Sequence, residues 1–352
     1  MSSSRLTLSA LSATVSVDFG PGIPPALVDR VREAWSGALA APDTVPDRVL
    51  VYDQAPDADR FLEALSGAVT LEALEHERGR ALLLHACGIA REDGRVLTFV
   101  GPSGRGKTTL SRTLGRVGGY VSDESIAIDG DLTVHPYRKP LSVVRPGMPK
   151  EQISPAAAGL RDLPDHELTL AAIVLIERDE TLAAPVIEHL HFVDGVTALV
   201  GQASFLAELP GTVTALARLC DRIGGLRRVR YAEASDVVGV IEELLRPGPE
   251  PESWMARVVD IIDANGATAM ADVVDYDDVM VVLSGRTLRI LEGIAPAVLR
   301  AVSDGAYDLD EVVESVIAQV GPPPDGDAAQ QISTVLTDLA DAGFVVPRPR
   351  DQ

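Results

Sequence analysis

Apolar and polar side chains alternate over Leu6–Phe19, which predicts strands at the start of the chain; a helical period follows over Pro24–Ala41 and a further strand over Arg48–Tyr52. Ala81–Ala90 and Val96–Val100 are apolar runs on either side of Asp93-Gly94, a dipeptide that favours a tight hairpin turn. A glycine-rich stretch, Gly101–Thr109, leads into a helix with Leu110, Leu114 and Val117 on one face. Gly118-Gly119 stops that helix, and Tyr120–Ser122 starts another strand. Ala171–Glu177 reads as a buried strand ending in a carboxylate, and residues 196–219 and 235–245 read as helices. Three prolines in Arg246–Ser253 mark a linker, since each removes a donor and fixes the backbone. Beyond it come a hairpin over Val279–Leu291 turning at Ser284-Gly285, helices over Ala295–Ser303, Leu309–Val320 and Ala328–Ala342, and a closing strand at Phe344–Val346. The expected organisation is an α/β segment over 1–77, a second α/β domain over 78–245, a linker over 246–266 and a small module over 267–347. No internal repeat is visible.

Composition narrows the function. The chain has 352 residues, more than one compact core usually holds. Its net charge of −21 disfavours general binding to nucleic acid or anionic lipid. Two cysteines, Cys87 and Cys220, supply neither a disulfide framework nor a four-cysteine zinc site. The start of the chain lacks the pattern of a signal peptide, and the longest apolar stretch, Leu170–Ile176, is far short of a bilayer span. These features read as a soluble cytoplasmic protein. Lys107, Lys139 and Lys150 are the only lysines; every other cation is arginine. A lysine placed in a glycine-rich loop by such a chain points to a need for an ammonium there.

Gly101-x4-Gly106-Lys107-Thr108 is a complete phosphate-binding loop motif. Its glycines let backbone N–H groups face phosphate oxygens, and the following helix adds its positive end. Gly101, Ser103, Gly104, Arg105, Gly106, Lys107, Thr108 and Thr109 are therefore the expected nucleotide-binding residues. Lys107 would place a point charge between the terminal phosphates of ATP, and the Thr108 hydroxyl would ligate Mg2+. A strand before the loop and a periodic helix after it argue against a chance run of glycines. The motif also occurs in nucleotide kinases and transporter ATPases, but the transporter signature Leu-Ser-Gly-Gly-Gln is absent and no guanylate-type Arg/Tyr pocket can be recognised.

The order Leu83-Leu-His-Ala86, the loop, then Ser122-Asp-Glu124 resembles the HPr serine kinase/phosphorylase superfamily. Gly-Pro-Ser-Gly-Arg-Gly-Lys-Thr-Thr-Leu-Ser over 101–111 is similar to the loop of ATP-dependent phosphoenolpyruvate carboxykinases. The resemblance covers roughly residues 78–245 and implies a P-loop HPr kinase-like core. It puts His85 near the reacting phosphate and makes Asp123 and Glu124 the acidic pair. One of these would hold Mg2+, with Asp123 and Thr108 as the metal-side candidates; the other would accept the substrate hydroxyl's proton. The family has Asp-Asp there, so Glu124 is a departure. Glu177 is a further Mg2+-side candidate, with a strand-end salt bridge as its ordinary alternative. Arg138 and Lys139, between Pro136 and Pro140, could present cations to nucleotide or acceptor, or lie in a solvated loop. The longer glycine-rich signature of true HPr kinases is missing, which makes HPr itself a poor substrate.

Residues 267–347 hold fourteen acidic side chains against Arg286, Arg289 and Arg300, too few cations for DNA binding by a winged-helix-like unit. The pattern Val281–Ala295, Asp308–Val313 and Leu339–Phe344 resembles PqqD-like domains. That resemblance implies recognition of a leader peptide as an added strand, with a basic or neutral segment favoured by charge. Two functions follow. One is a Mg-ATP-dependent kinase that phosphorylates a Ser or Thr hydroxyl of a peptide or small protein held by the C-terminal domain. The other is an ATP-gated peptide-binding chaperone or switch without kinase activity. A kinase of a free small molecule such as serine stands between them, and a homo-oligomer is left open.

Overall fold

Every residue of Val96–Val100 is buried, so this strand is too apolar for a sheet edge. In the computed structural model it lies at the centre of a nine-stranded sheet, with Thr169–Arg178 parallel on one side and Leu82–Ala90 antiparallel on the other. The structure describes residues 4–345 except 42, 56, 103, 105, 144–150, 263–265, 277, 285–286 and 325. Beyond Thr169–Arg178 the sheet runs through the parallel strand Leu226–Tyr231 to the antiparallel Val186–Leu190. Leu82–Ala90 serves two sets of partners. Its second half pairs with Arg95–Val100 and Gly119–Ser122, and its first half with Ser125–Ile128 and Ala203–Ser204. The helix Lys107–Leu114 covers one face, where Leu110 and Leu114 share a core with Cys87, Ile89, Phe99 and Val174.

The N-terminal strands Ser4–Ala10 and Ala13–Phe19 form an antiparallel pair, and Arg48–Tyr52 lies parallel to the second. Onto this sheet packs a twenty-residue helix, Ala58–Glu77. Phe61, Leu62, Leu65, Val69 and Ala73 recur on one side of it and are buried with Leu8, Val15, Val17 and Trp35. Burial of each large side chain among them is worth about 1.5–3 kcal/mol, which ties the helix down. The same core takes in Leu83, Ala127 and Tyr137.

Contacts divide the chain into two compact units, one running to Leu209 and resuming over Arg222–Pro249, the other taking Pro210–Asp221 and the chain from Glu250 on. The expected boundary at residue 77 thus falls inside the first unit, because the N-terminal sheet and the central sheet share a core. The expected linker over 246–266 carries a strand, Met255–Ile262, whose Val259 and Ile261 face inward while its neighbours are exposed. The helix expected over 24–41 stops at Ala34, followed by a short 3-10 turn. That expected over 196–219 is two helices, Phe192–Val200 and Thr212–Ile223, parted where Phe205 adopts a positive φ and Pro210-Gly211 intervenes. The one expected over 235–245 is likewise two short helices split after Val238, at Gly239. The helix Ala58–Glu77 has no counterpart in the sequence reading: Leu71 is exposed off its buried side and Leu74 is only partly buried at the margin of the core, which blurs the apolar stripe.

The second unit holds a four-stranded antiparallel sheet in the order Met255–Ile262, Thr268–Asp275, Met280–Ser284 and Thr287–Leu291. The expected hairpin is its last pair; Gly285 and Arg286 at the turn lie outside the described residues. Val259, Val273, Met280 and Val282 are buried with residues of the three helices Ala295–Ser303, Leu309–Val320 and Ala328–Asp341. Asp308 caps the second helix by accepting from Glu311 N at 3.0 Å, and Asp327 the third by accepting from Ala329 N at 2.9 Å. Phe344 bridges back to Ile261, while Val346 lies outside the described residues. Asp275 is buried between Arg257 and Arg300, each donating from Nε at 2.8 Å. Within the same unit Thr214 N donates to Asp272 at 2.8 Å and Trp254 Nε1 to Asp221 at 2.9 Å. Among the described residues no helix is long and apolar enough to cross a membrane.

Candidate functional site

The central strand ends at Val100 and the chain turns sharply into the helix that starts at Lys107. Gly104 and Gly106 make the turn possible with φ of +78° and +93°, a region that a side chain disfavours. Gly106 is the N-cap of the helix and among the described residues no side chain caps it, so its first backbone N–H groups are free to meet a ligand at the positive end of the helix dipole. Thr108 and Thr109 are exposed there. Lys107 is buried to 6% exposure, and its Nζ donates to Gly101 O at 2.5 Å and Pro102 O at 3.1 Å. Burial pulls its pKa down. Ser103 and Arg105, both expected nucleotide contacts, lie outside the described residues.

Sheet register brings the other candidates to this loop. Ala86 is opposite Val100, so His85 sits one residue beyond the pairing, level with the start of the loop. It shares a face with Cys87, the face under the loop helix. Asp123 and Glu124 form the turn between Gly119–Ser122 and Ser125–Ile128, strands that both pair with the strand carrying His85. Ser122 Oγ closes that turn by accepting from Glu124 N and Ser125 N, each at 3.2 Å. His85, Gly104, Gly106, Lys107, Thr108, Thr109, Asp123 and Glu124 all line one cleft of about 870 Å³. That volume lies toward the upper end of ordinary small-molecule sites.

The acidic pair is unequal. Asp123 is buried and accepts a hydrogen bond from Tyr120 OH at 3.0 Å. Burial raises its pKa, against the pull of Lys139, whose Nζ lies 3.9 Å from Oδ1. Glu124 is more exposed, and the same ammonium is 3.0 Å from its Oε2. His85 is half-buried; burial and the Lys107 charge lower its pKa, with Glu124 and Asp123 opposing. It is thus neutral near pH 7 and able to accept a proton. Cys87 behind it is inert, its thiol pushed up to about 12 by burial.

Two parts of the cleft were left open or missed in the sequence. Lys139, left there as a cation or a solvated side chain, is 5% exposed and bound to the acidic pair. Tyr137 positions it: Tyr137 N donates to Val121 O at 3.0 Å, and its hydroxyl meets Thr70 Oγ1 at 2.8 Å. The signal that pointed to it was its place between Pro136 and Pro140 in a stiffened segment. The other missed part is a wall of the cleft built from the helix Ala58–Glu77, for which the sequence carried no motif. Arg138 turns away to Asp162 at 2.8 Å. Glu177 is half exposed between Arg230 and Arg228, at 3.5 and 3.8 Å, and does not line the cleft, which matches the strand-end ion pair.

The residues present fit a nucleotide that carries its own metal. Among the described residues no group of three or more His, Cys, Asp or Glu could hold a metal ion unaided. Mg2+ commonly needs one or two carboxylates together with substrate phosphates, and the cleft offers Thr108 with the Asp123–Glu124 pair.

No family model matches the chain. The phosphate import ATP-binding protein PstB 1 of Vibrio parahaemolyticus is 33% identical over 89 residues, 25% of this chain and 32% of that protein. The match therefore spans about a third of the curated relative's length. Among solved structures, the HPr(Ser) kinase/phosphatase from Coxiella burnetii aligns over 47% of this chain and 93% of its own, at 14% identity and a TM-score of 0.27. The strand–loop–helix unit is that of P-loop nucleotide-binding proteins, a class that includes kinases and ATPases.

Proposed function

We propose that the protein is a Mg-ATP-dependent kinase that moves the γ-phosphoryl group to a Ser or Thr hydroxyl of a peptide or small protein, held by the acidic C-terminal unit. The observation that carries this reading is the buried carboxylate of Asp123 in the same cleft as Lys107 and the uncapped start of the loop helix. A raised-pKa carboxylate beside a neutral imidazole suits the capture of a proton from an attacking hydroxyl, and it would serve a water in the same way, so the acceptor is what the experiment must identify.

In this reading the amides of the loop and the Lys107 ammonium hold the phosphates, and Thr108 with Glu124, the more exposed of the acidic pair, would hold Mg2+. The metal supplies charge neutralisation on the phosphate oxygens when bound. Asp123, whose pKa lies above the usual carboxylate range, takes the proton of the acceptor hydroxyl, and His85 assists. Lys139 keeps the two carboxylates from repelling one another. The four-stranded sheet and three helices of the second unit support a PqqD-type, winged-helix-like peptide reader, for which a basic or neutral peptide is the favoured partner.

The test is ³¹P NMR of the protein with Mg-ATP, beside Lys107→Ala, in the presence of short seryl peptides and of free serine. A new phosphomonoester signal, absent in the variant, is expected. ADP and inorganic phosphate alone would leave an ATPase or nucleotide-gated peptide binder. The ion pair between Lys139 and Glu124 favours that second reading to one degree: it gives the cleft a contact that nucleotide-bound metal would compete for.

A further inference from the structure

The cleft has a half that phosphate chemistry does not use. Glu63, Ser66, Gly67, Thr70, Leu71 and Leu74 of the helix Ala58–Glu77 line it. Positions 63, 67, 70, 71 and 74 share one helix face, distinct from the side that buries Phe61, Leu65 and Val69. Two features leave this face open to a ligand. Leu71 is 58% exposed beside a polar site. Gly67 sits in mid-helix, where glycine weakens the helix, and a Cβ there would meet nothing within 4 Å. The missing side chain leaves open space in the cleft.

The charge on this wall selects the occupant. Among the described residues the helix contributes no cation to the cleft, and its one charged side chain is Glu63. Lys107 belongs to the phosphate loop, and Lys139 is bound to Glu124 at 3.0 Å. A free carboxylate or phosphate on the acceptor would face Glu63, Asp123 and Glu124. An uncharged peptide backbone with an aliphatic neighbour would instead set that side chain on Leu71 and Leu74, with its main chain passing the gap at Gly67.

We infer that this helix face is the acceptor subsite, and that it takes a Ser or Thr inside a peptide beside an aliphatic residue, and rejects free serine. The inference rests on the kinase reading. The acceptor oxygen bonds to the γ-phosphorus as the bond from that phosphorus to the β,γ-bridging oxygen breaks, ADP departs, and the hydroxyl proton passes to Asp123.

Three probes test it: acetylated and amidated Leu-Ser-Leu, the same form of Gly-Ser-Gly, and free serine. Phosphomonoester formation with Mg-ATP is followed, together with calorimetric binding of each probe to the ADP-loaded protein. Leu-Ser-Leu should be used at least tenfold better in kcat/KM than the other two. Gly67→Trp should raise its KM at least tenfold while ATP affinity stays unchanged. Leu71→Ser, at an exposed position that leaves the core intact, should bring Leu-Ser-Leu down towards Gly-Ser-Gly. Equal use of the three probes, or a KM untouched by both substitutions, overturns the subsite. If no probe is phosphorylated, the kinase reading fails. The subsite then stands when Leu-Ser-Leu still binds and Gly67→Trp weakens it, and falls when it does not bind.

Discussion

A single ammonium, Lys139, sets the balance between two carboxylates that differ in burial. Asp123 is raised by burial and held back by Lys139; taking that charge away moves it higher still. A base must be ionised to act, so activity should rise with pH through the Asp123 ionisation, and Lys139→Met should shift this acid limb to higher pH in a profile of kcat/KM. His85 responds with the opposite sign. Its folded pKa is lowered from 6.5, so below that value the unfolded chain takes a proton that the native imidazole refuses. Stability contributed at this site is therefore lost as pH falls from 6.5 through the lowered folded value. His85→Gln should flatten the drop, read from denaturation midpoints at pH 7.5 and pH 5.5. His85, Asp123 and Glu124 were singled out by a resemblance in the order of motifs around the loop, and the structure brings all three to one cleft. Lys139 was named there as a cation or a solvated side chain; its pairing with the acidic residues was not legible, since Tyr137 beside it is held by a contact with Thr70 across 67 residues.

Among the elements, the phosphate loop is the one whose conformation is written most locally. Its strand, glycines and helix are contiguous, so spacing alone identified it. Gly101 has a tertiary constraint as well: a Cβ there would lie 2.6 Å from Ile176 Cγ1 on the neighbouring strand. Gly101→Ala should cost about 1–3 kcal/mol of stability through overpacking and weaken ATP binding, measured by denaturant titration and calorimetry. Lys107→Ala should weaken ATP binding at least tenfold, the equivalent of about 1.4 kcal/mol. The helix Ala58–Glu77 is the counter-example. Its core side was masked by Leu71 and Leu74, which line the cleft, the second also packing at the margin of the core, and a stripe spread this widely gives no clean period. The strand Met255–Ile262 was hidden for a related reason: it follows a proline-rich run and exposes Met255, Val258 and Ile262.

At the level of the whole molecule, each of the two units carries its own buried core, and the second depends on a charge cluster. Asp275 is fully buried at its side chain between Arg257 and Arg300. Burial pushes its pKa up, but hydrogen bonds from the two guanidinium groups prevail and leave it lowered. Its contribution is complete above the ordinary carboxylate value of 3.8 and fades as pH falls through the lowered one. Removing the buried carboxylate takes the shared partner from two arginines and leaves them Asp304 and Gln319, so Asp275→Ala should destabilise the second unit by about 3 kcal/mol. The unfolding transition of that unit should shift while ATP affinity holds, as followed by calorimetry with and without nucleotide.

By itself the sequence determined what short-range spacing can encode: the strand–loop–helix unit with Lys107 in its slot, the apolar strands around it, and the acidic C-terminal module with its three helices. Each of these rests on neighbours within about a dozen residues, where periodicity and turn chemistry act directly. Tertiary structure alone decided that the N-terminal segment shares a core with the nucleotide-binding sheet, that Lys139 is buried against Asp123 and Glu124, and that the helix Ala58–Glu77 closes the cleft. Those placements come from burial of Phe61, Leu65 and Val69 against strands far away in the chain, and side-chain burial of that kind leaves no fixed interval in sequence.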